Sequence, residues 1–353
     1  MLDQYSRNID YIRISVTDRC NLRCIYCMPQ TRKTYLRQEE LLTYDEIVKL
    51  AGIYRSLGIK NVKLTGGEPL VREHIEELIF RLKKECGMEK VTLTTNGILL
   101  EQQLDGLVKA GLDGVNISLD TLKPEHYNSL TGGCHVDRNP SDGNLEAVLR
   151  GIRKAQKQAG ISVKVNCVLM HQTREELLAL AELAKDGVNV RFIELMPIGQ
   201  GKEKHTLKEA EVKHILSETY GTIRPCEEKL GSGPAHYRKI DGFEGKIGFI
   251  SAISHKFCSG CNRVRMTADG FLKPCLQYET GMDLRTLLRD GISDAELKVQ
   301  IETIITQKPK CHHFGEINEP ERTEHRGMSE IGGKYRDTIF AGCGKGWVFK
   351  WEK

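Results

Sequence analysis

The sequence predicts an α/β protein: an incomplete, open (βα)6 barrel of the triosephosphate-isomerase type, followed by a smaller C-terminal domain. Three observations predict it. Six β-rich runs alternate with amphipathic helical stretches from residue 11 to about 220, and such a series packs as a parallel sheet with right-handed crossovers. Side chains along those runs alternate apolar and polar, so one sheet face is expected under helices while the other stays polar. From about residue 221 the rhythm breaks into the Gly-rich stretch "GSGPAHYRKIDGFEGKIGFISAIS" with short strands.

Taken in order, "YIRISVT" (11–17) is the first strand, and the helix after it opens at Thr43, which with Glu46 reads as a capping box. "NVKLTGG" (61–67) is the second strand, with Gly58 ending the helix before it. "KVTLTTNG" (90–97) is the third, and Gly111 closes the next helix ahead of "GVNISLD" (114–120). Gly160 precedes the fifth strand, "SVKVNCVLM" (162–170), and Thr173 with Glu176 caps the following helix. Gly187 precedes the sixth, "NVRFIELMP" (189–197), and Thr206 with Glu209 marks a further helix start. The expected units are therefore 1–220 for the partial barrel, 221–333 for the smaller domain closing one mouth, and 334–353 for a C-terminal extension.

One face of these strands is apolar, as in Ile12, Ile14, Val62, Leu64, Val91, Leu93, Val115, Ile117, Val163 and Val165. The other holds Arg13, Lys63, Thr92, Thr94, Asn116, Ser118, Asp120, Lys164 and Asn166. Filled barrels and fully buried parallel sheets run apolar on both faces. The polar face therefore reads as a ligand-binding lumen rather than a wet surface, and basic and hydroxyl groups inside it fit a phosphorylated, polar guest.

Composition narrows the class. The 52 Lys+Arg and 48 Asp+Glu leave a net charge of +4 with no polybasic arm, so bulk electrostatics make no case for nucleic acid or a membrane surface. The segment "MLDQYSRNIDYIRIS" has no apolar signal core and no run reaches the ~18 apolar residues of a membrane span. A soluble, cytoplasmic protein is expected. Twelve cysteines fall short of a disulfide scaffold, and six of them are clustered in two threes. In a reducing compartment such clusters point to metal.

The first cluster is "CNLRCIYC", with Cys20, Cys24 and Cys27 spaced C-x3-C-x2-C directly after the first strand. Structural zinc takes four protein ligands. Three thiolates on a [4Fe–4S] cube leave one iron open to an external ligand. The amino and carboxylate groups of S-adenosylmethionine can fill that place, and one electron then splits its sulfonium to give an adenosyl radical. Tyr26 lies between the ligands, positioned to pack on the adenine, and "LTGGEP" (64–69) closes the neighbouring strand with glycine backbone that can approach the methionine amine. The second cluster, "CSGCNRVRMTADGFLKPC", sets Cys258, Cys261 and Cys275 at C-x2-C-x13-C. It reads either as a second cube with an open iron or as zinc completed by Cys311, His312 or His313. Arg263 and Arg265, two apart, face one way on a strand and suit phosphate oxygens.

"CNLRCIYC", "TGGEP" and the βα series resemble the radical S-adenosylmethionine superfamily. With "CNRVR" and the second cysteine set, the chain from residue 5 to 333 is similar to the GTP 3′,8-cyclase family, which opens molybdenum-cofactor biosynthesis. The resemblance implies two [4Fe–4S] clusters, on Cys20, Cys24 and Cys27 and on Cys258, Cys261 and Cys275, so that the C-terminal unit would be an iron–sulfur domain. It implies that Tyr26, Gly66, Gly67, Glu68, Ser118 and Met196 line the S-adenosylmethionine site. By the same resemblance Arg13, Lys63, Thr94, Lys164, Arg263 and Arg265 bind GTP. Further implied are a reductant such as flavodoxin or ferredoxin, a homodimer, and hand-over of product to cyclic pyranopterin monophosphate synthase.

Two features depart from that pattern. "GCHVDRNPSDGN" (133–144) reads as a polar surface insertion. Family members end in a catalytic Gly-Gly tail, whereas here Gly332 and Gly333 are followed by "KYRDTIFAGCGKGWVFKWEK" with Trp347 and Trp351. That extension loops out of the active site, impairs it, or is a translational read-through. Competing readings are a radical enzyme that modifies peptides or tetrapyrroles, and an inactive iron–sulfur or zinc scaffold.

Overall fold

The computed structural model describes residues 1–28, 35–132, 143–201, 206–228 and 230–314, and the single positions 316, 324 and 331. Six βα units come first. They run β1 (Tyr11–Ser15), α1 (Tyr44–Ser56), β2 (Asn61–Thr65), α2 (Ile75–Lys84), β3 (Lys90–Thr95), α3 (Leu100–Lys109) and β4 (Gly114–Ser118). Two helices, α4 (Pro124–Thr131) and α5 (Asn144–Lys157), lead to β5 (Ser162–Leu169), α6 (Arg174–Glu182), β6 (Asn189–Glu194) and α7 (Glu209–Tyr220). Then follow β7 (Ile223–Cys226), β8 (His236–Ile240), β9 (Ile247–Ile250), β10 (Arg263–Met266), β11 (Phe271–Lys273) and β12 (Met282–Asp283), with α8 (Leu284–Arg289) and α9 (Asp294–Thr306).

All six predicted strands form, in the order predicted. The strands after residue 220 extend the same sheet at both edges, giving the order β12-β11-β10-β1-β2-β3-β4-β5-β6-β9-β8-β7. Since β10 runs parallel to β1 and β9 parallel to β6, the parallel set holds two strands more than the six of the βα series. Among the described residues β9 and β10 do not pair, so the barrel stays open.

The apolar face does what the alternation requires. Ile12, Ile14, Leu64, Leu93, Ile117 and Val165 are fully buried beneath Leu50, Leu78, Leu104 and Val148 of the covering helices. Burial of apolar area of this kind is the main term holding such a fold together. Thr43 and Glu46, and Thr173 and Glu176, form the reciprocal caps read from the sequence. The third cap is shifted. α7 begins two residues later, with Lys208 at its N-cap and the Glu211 carboxylate accepting from Lys208 N at 2.7 Å. Glu209, expected to cap, is drawn instead to Ser251 and Lys213. Among the described residues no helix is long and apolar enough to cross a membrane.

Candidate functional site

The first cysteine loop sits at the C-terminal end of β1 and is held on three sides. Arg23 N and Ile25 N donate to the carbonyls of Thr131 and Leu130 at the end of α4. Asn96 after β3 donates from its amide to Asn21 Oδ1 at 2.7 Å. Gly67 N and Glu68 N donate to Thr17 O and Arg19 O, both at 2.8 Å. These contacts explain the glycine pair directly. A Cβ at Gly67 would stand 2.2 Å from Arg19 O, and one at Gly66 would stand 2.6 Å from Thr17 O. The two loops meet backbone to backbone, and only glycine allows it.

The remaining predicted residues of this end take defined places. Glu68 is buried, and its carboxylate accepts from Leu70 N, Thr95 Oγ1 and Asn96 N, so it ties the end of β2 to the end of β3. Burial raises its carboxyl to about 7. Tyr26 donates its hydroxyl to Asp120 Oδ2 at 2.9 Å, and Asp120 Oδ1 accepts from Val168 N at 2.7 Å. Strand alternation places Asp120 only on the polar face, yet it fastens the cysteine loop to β4 and β5. Ser118 ends β4 beside it. Met196 packs on Ile198, Leu276 and Phe314 rather than in the main core. Burial pushes the Cys20 thiol up to about 12, with the Glu68 carboxylate adding to the shift. Cys24 is raised by burial and by Cys27, Asp120 and Cys20 around it.

The polar sheet face encloses a cavity of ≈380 Å³. Register aligns its rungs: Arg13 lies opposite both Lys63 and Arg265, Thr94 opposite Asn116, and Asn116 opposite Lys164. Arg13, Lys63, Thr94 and Lys164 of the expected polar face all line it, and Arg263 lines it too. Arg265 stands one step along β10 from Arg263, outside the lining but on the same face. Two further lining cations, Lys90 and Arg191, escaped the sequence reading. Arg191 was legible, since it is the inward residue of "NVRFIE" by the same alternation. It is buried and donates to Asn166 Oδ1 at 2.8 Å and Asn116 Oδ1 at 2.7 Å. The acidic lining residue, Asp113, is tied to Lys83 and to Val91 N. At the mouth formed by the N-terminal strand ends, Leu230–Pro234 completes the wall.

So many cations in one buried space repel one another. Lys63 is driven well below its ordinary value by burial, with Arg191, Arg13, Lys164 and Arg263 adding. Lys164 is lowered to about 8 by burial and by Arg191 and Lys90. Burial lowers Arg13 as well, and among the described residues its Nε has no hydrogen-bond partner. A cavity of this size lined by so many cations suits a polyanion.

The second cysteine set closes on the neighbouring edge. Cys258 and Cys261 bracket a tight 3-10 turn, and Cys275 follows β11. Burial raises Cys258, with Cys275, Cys261 and Cys311 adding. Burial would raise Cys261 too, but Lys308 and Arg263 overcome it and bring the thiol to about 7. The three thiols therefore share one corner of the fold, and among the described residues no three such groups sit close enough to hold a single metal ion. Cys311 and His313, weighed as completing ligands, lie close by, with Sγ and Nε2 3.6 Å apart. The ring of His312 points elsewhere, onto Phe314, while its backbone N donates to Cys258 Sγ at 3.4 Å. Gly332, Gly333, residues 334–353 and residues 133–142 of the insertion lie outside the described residues.

Comparison with known proteins agrees with this geometry. Residues 14–184 match the radical SAM superfamily and residues 188–314 match the family of the molybdenum cofactor synthesis C domain. The chain is 44% identical over 335 residues to the GTP 3′,8-cyclase of Clostridium perfringens strain SM101, covering 94% of this chain and 100% of that protein. It is 40% identical over 338 residues to the GTP 3′,8-cyclase of Desulforamulus reducens, with the same coverage. Among solved structures, Streptococcus suis SuiB bound to S-adenosylmethionine has the same fold, with a TM-score of 0.54 at 16% identity over 83% of this chain and 68% of that one.

Proposed function

Since this chain belongs to the GTP 3′,8-cyclase family of the radical S-adenosylmethionine superfamily, we propose that it joins C3′ of the GTP ribose to C8 of guanine. The product is (8S)-3′,8-cyclo-7,8-dihydroguanosine 5′-triphosphate, on the route to the molybdenum cofactor. The observation that carries this reading is the cation-lined cavity, where Arg13, Lys63, Lys164, Arg191 and Arg263 converge with no free carboxylate among the described lining residues. Paired guanidiniums and ammonium groups of this kind take triphosphate oxygens.

Cys20, Cys24 and Cys27 would hold the catalytic [4Fe–4S] cluster, and Tyr26, Gly66, Gly67, Glu68, Ser118 and Met196 would shape the S-adenosylmethionine site. When bound there, that pair supplies a hydrogen-abstracting adenosyl radical. The chain's own residues orient the reactants. Thr94 and the cations fix the nucleotide, and the buried lumen keeps water from reactive species. Cys258, Cys261 and Cys275 would hold a second cluster that faces the guanine. Glu68 acts as a positioning residue, since its carboxylate is spent within the fold. The Gly332–Gly333 tail, a flavodoxin- or ferredoxin-type reductant, a homodimer in the cytoplasm, and hand-over to cyclic pyranopterin monophosphate synthase complete the proposal.

The test is anaerobic reconstitution of the full chain and of a chain ending at Gly333, with reductant, S-adenosylmethionine and GTP. Cyclised GTP is quantified by mass spectrometry. Product from both supports the cyclase and makes residues 334–353 harmless. Product from the shorter chain alone assigns those residues a blocking role. No product from either, with iron fully loaded, overturns the GTP assignment.

A further inference from the structure

Besides Arg263 and Arg265 of the polar sheet face, three cations are buried around the second cysteine set, and two of them are neutralised. Arg7, 6% exposed, pairs with Asp3 at 2.6 Å. Its Nη1 donates to Cys258 O at 3.0 Å and Lys310 O at 2.8 Å, and its Nη2 to Pro309 O at 2.7 Å. Lys273, fully buried, pairs with Glu324. Lys308 differs. It is 3% exposed, and its ammonium donates to Arg263 O at 2.8 Å and to Pro274 O. Among the described residues no carboxylate pairs with it.

A buried ammonium without a counter-ion is costly unless an anion balances it. Carbonyl dipoles soften that cost but do not cancel the charge. The two carbonyls place this charge against the cysteine set. Arg263 lies two residues after Cys261, and Pro274 is joined directly to Cys275. Lys308 thus bridges both arms of the C-x2-C-x13-C motif, and Arg7 holds the 308–310 backbone against the third member, Cys258. The anions that this charge can meet there are the thiolates themselves.

We infer that Lys308 is the built-in countercharge of the second cysteine set, a positioning residue that favours the more negative state of the cluster held there. The inference rests on the reading that Cys258, Cys261 and Cys275 bind an iron–sulfur cluster. Net charge and hydrogen bonding around such clusters set their potentials, and groups just outside the ligands change metal retention by about 10- to 100-fold. Neither Asp3–Arg7 nor Lys273–Glu324 can serve, since each pair is already balanced.

The experiment uses the full chain with Cys20, Cys24 and Cys27 all replaced by Ala, so that bound iron belongs to the second set. In that parent, Lys308→Gln keeps a donor for the carbonyls and removes the charge, while Lys308→Arg keeps the charge. Three quantities are read: midpoint potential by a titration followed by electron paramagnetic resonance, the rate of iron loss to a chelator, and the melting temperature of the metal-free chain. The Gln variant should show a more negative potential and roughly tenfold faster iron loss, and its metal-free form should melt no lower than the parent. The Arg variant should stay near the parent in both cluster measurements. An unchanged potential in Lys308→Gln, or a metal-free Gln chain that melts well below the parent or fails to fold, overturns the inference and leaves Lys308 a structural tie. A parent that takes zinc, or no iron, overturns the cluster reading and this inference with it.

Discussion

The two cysteine sets carry the same donors in opposite electrostatic settings. Around the first stand carboxylates: Glu68 adds to the burial that raises Cys20, and Asp120 to that which raises Cys24. Around the second stand cations: Lys308 and Arg263 bring Cys261 to about 7 against its burial. Three cysteines recur in both sets, but their charged neighbours differ. A site ringed by carboxylates suits a sulfonium and an ammonium, as in S-adenosylmethionine. A site ringed by guanidiniums and an ammonium suits a negatively charged cluster. On the function proposed above, the two sets are divided by local charge more than by ligand type.

The largest test of that division removes one thiol from each set. Cys24→Ala should abolish S-adenosylmethionine cleavage with or without GTP, measured as 5′-deoxyadenosine. Cys261→Ala should abolish cyclised GTP while leaving some 5′-deoxyadenosine, since the first set is intact. Equal loss of cleavage in both variants would break the comparison. Gly67→Ala comes next. Its Cβ would meet Arg19 O at 2.2 Å, so the cysteine loop must move. Cleavage should fall by about 100-fold or more, the cost of misplacing reacting groups by ~1 Å, with GTP affinity nearly unchanged by calorimetry.

On the cationic side, Arg265→Gln should act in the opposite sense. Arg265 faces Arg13 across β10 and β1, and burial with its cationic neighbours lowers it to about 9. Losing one charge-assisted contact to phosphate costs about 1.5–3 kcal/mol, or roughly 10- to 100-fold in GTP affinity. Uncoupled S-adenosylmethionine cleavage should persist. A variant that instead loses cleavage would show that the two sites are not electrostatically separate.

Much of this was legible because strand alternation has a strict period. Arg13, Lys63, Thr94 and Lys164 were placed in a lumen from spacing alone, and all four line the cavity. The same rule applied to β6 would have found Arg191. Lys308 and Arg7 had no such signal, because they come from the two ends of the described chain and meet only through the fold. Asp120 was visible as a polar strand residue, but its bond to Tyr26 spans 94 positions of sequence and no local pattern encodes it. The third helix cap was misplaced because Thr206 and Glu209 have the right spacing while Lys208 and Glu211 win it once Glu209 is drawn to Ser251 and Lys213. The pairing of β10 with β1 and of β9 with β6 was likewise hidden, since short strands in Gly-rich sequence do not announce their partners.

The smallest expected effect concerns Lys164, and it separates binding from stability. Burial, with Arg191 and Lys90, brings its ammonium to about 8, so the charge is present at pH 7 and largely gone at pH 9. GTP affinity should therefore fall as pH rises through 8, by about fivefold for a contact of ~1 kcal/mol at a partly exposed site. Lys164→Arg should flatten that slope, because guanidinium keeps its charge. The nucleotide-free chain should respond in the other direction. Its unfolded form holds the Lys164 proton up to about 10.4 while the folded form loses it near 8. Between those values the unfolded chain binds more protons, so this group makes the fold more stable as pH rises. A melt that rises from pH 8 to 10 while GTP affinity drops would show that Lys164 is held charged for its ligand at the expense of the empty fold. Parallel loss of both would assign it to the scaffold instead and leave the remaining cations to carry the triphosphate.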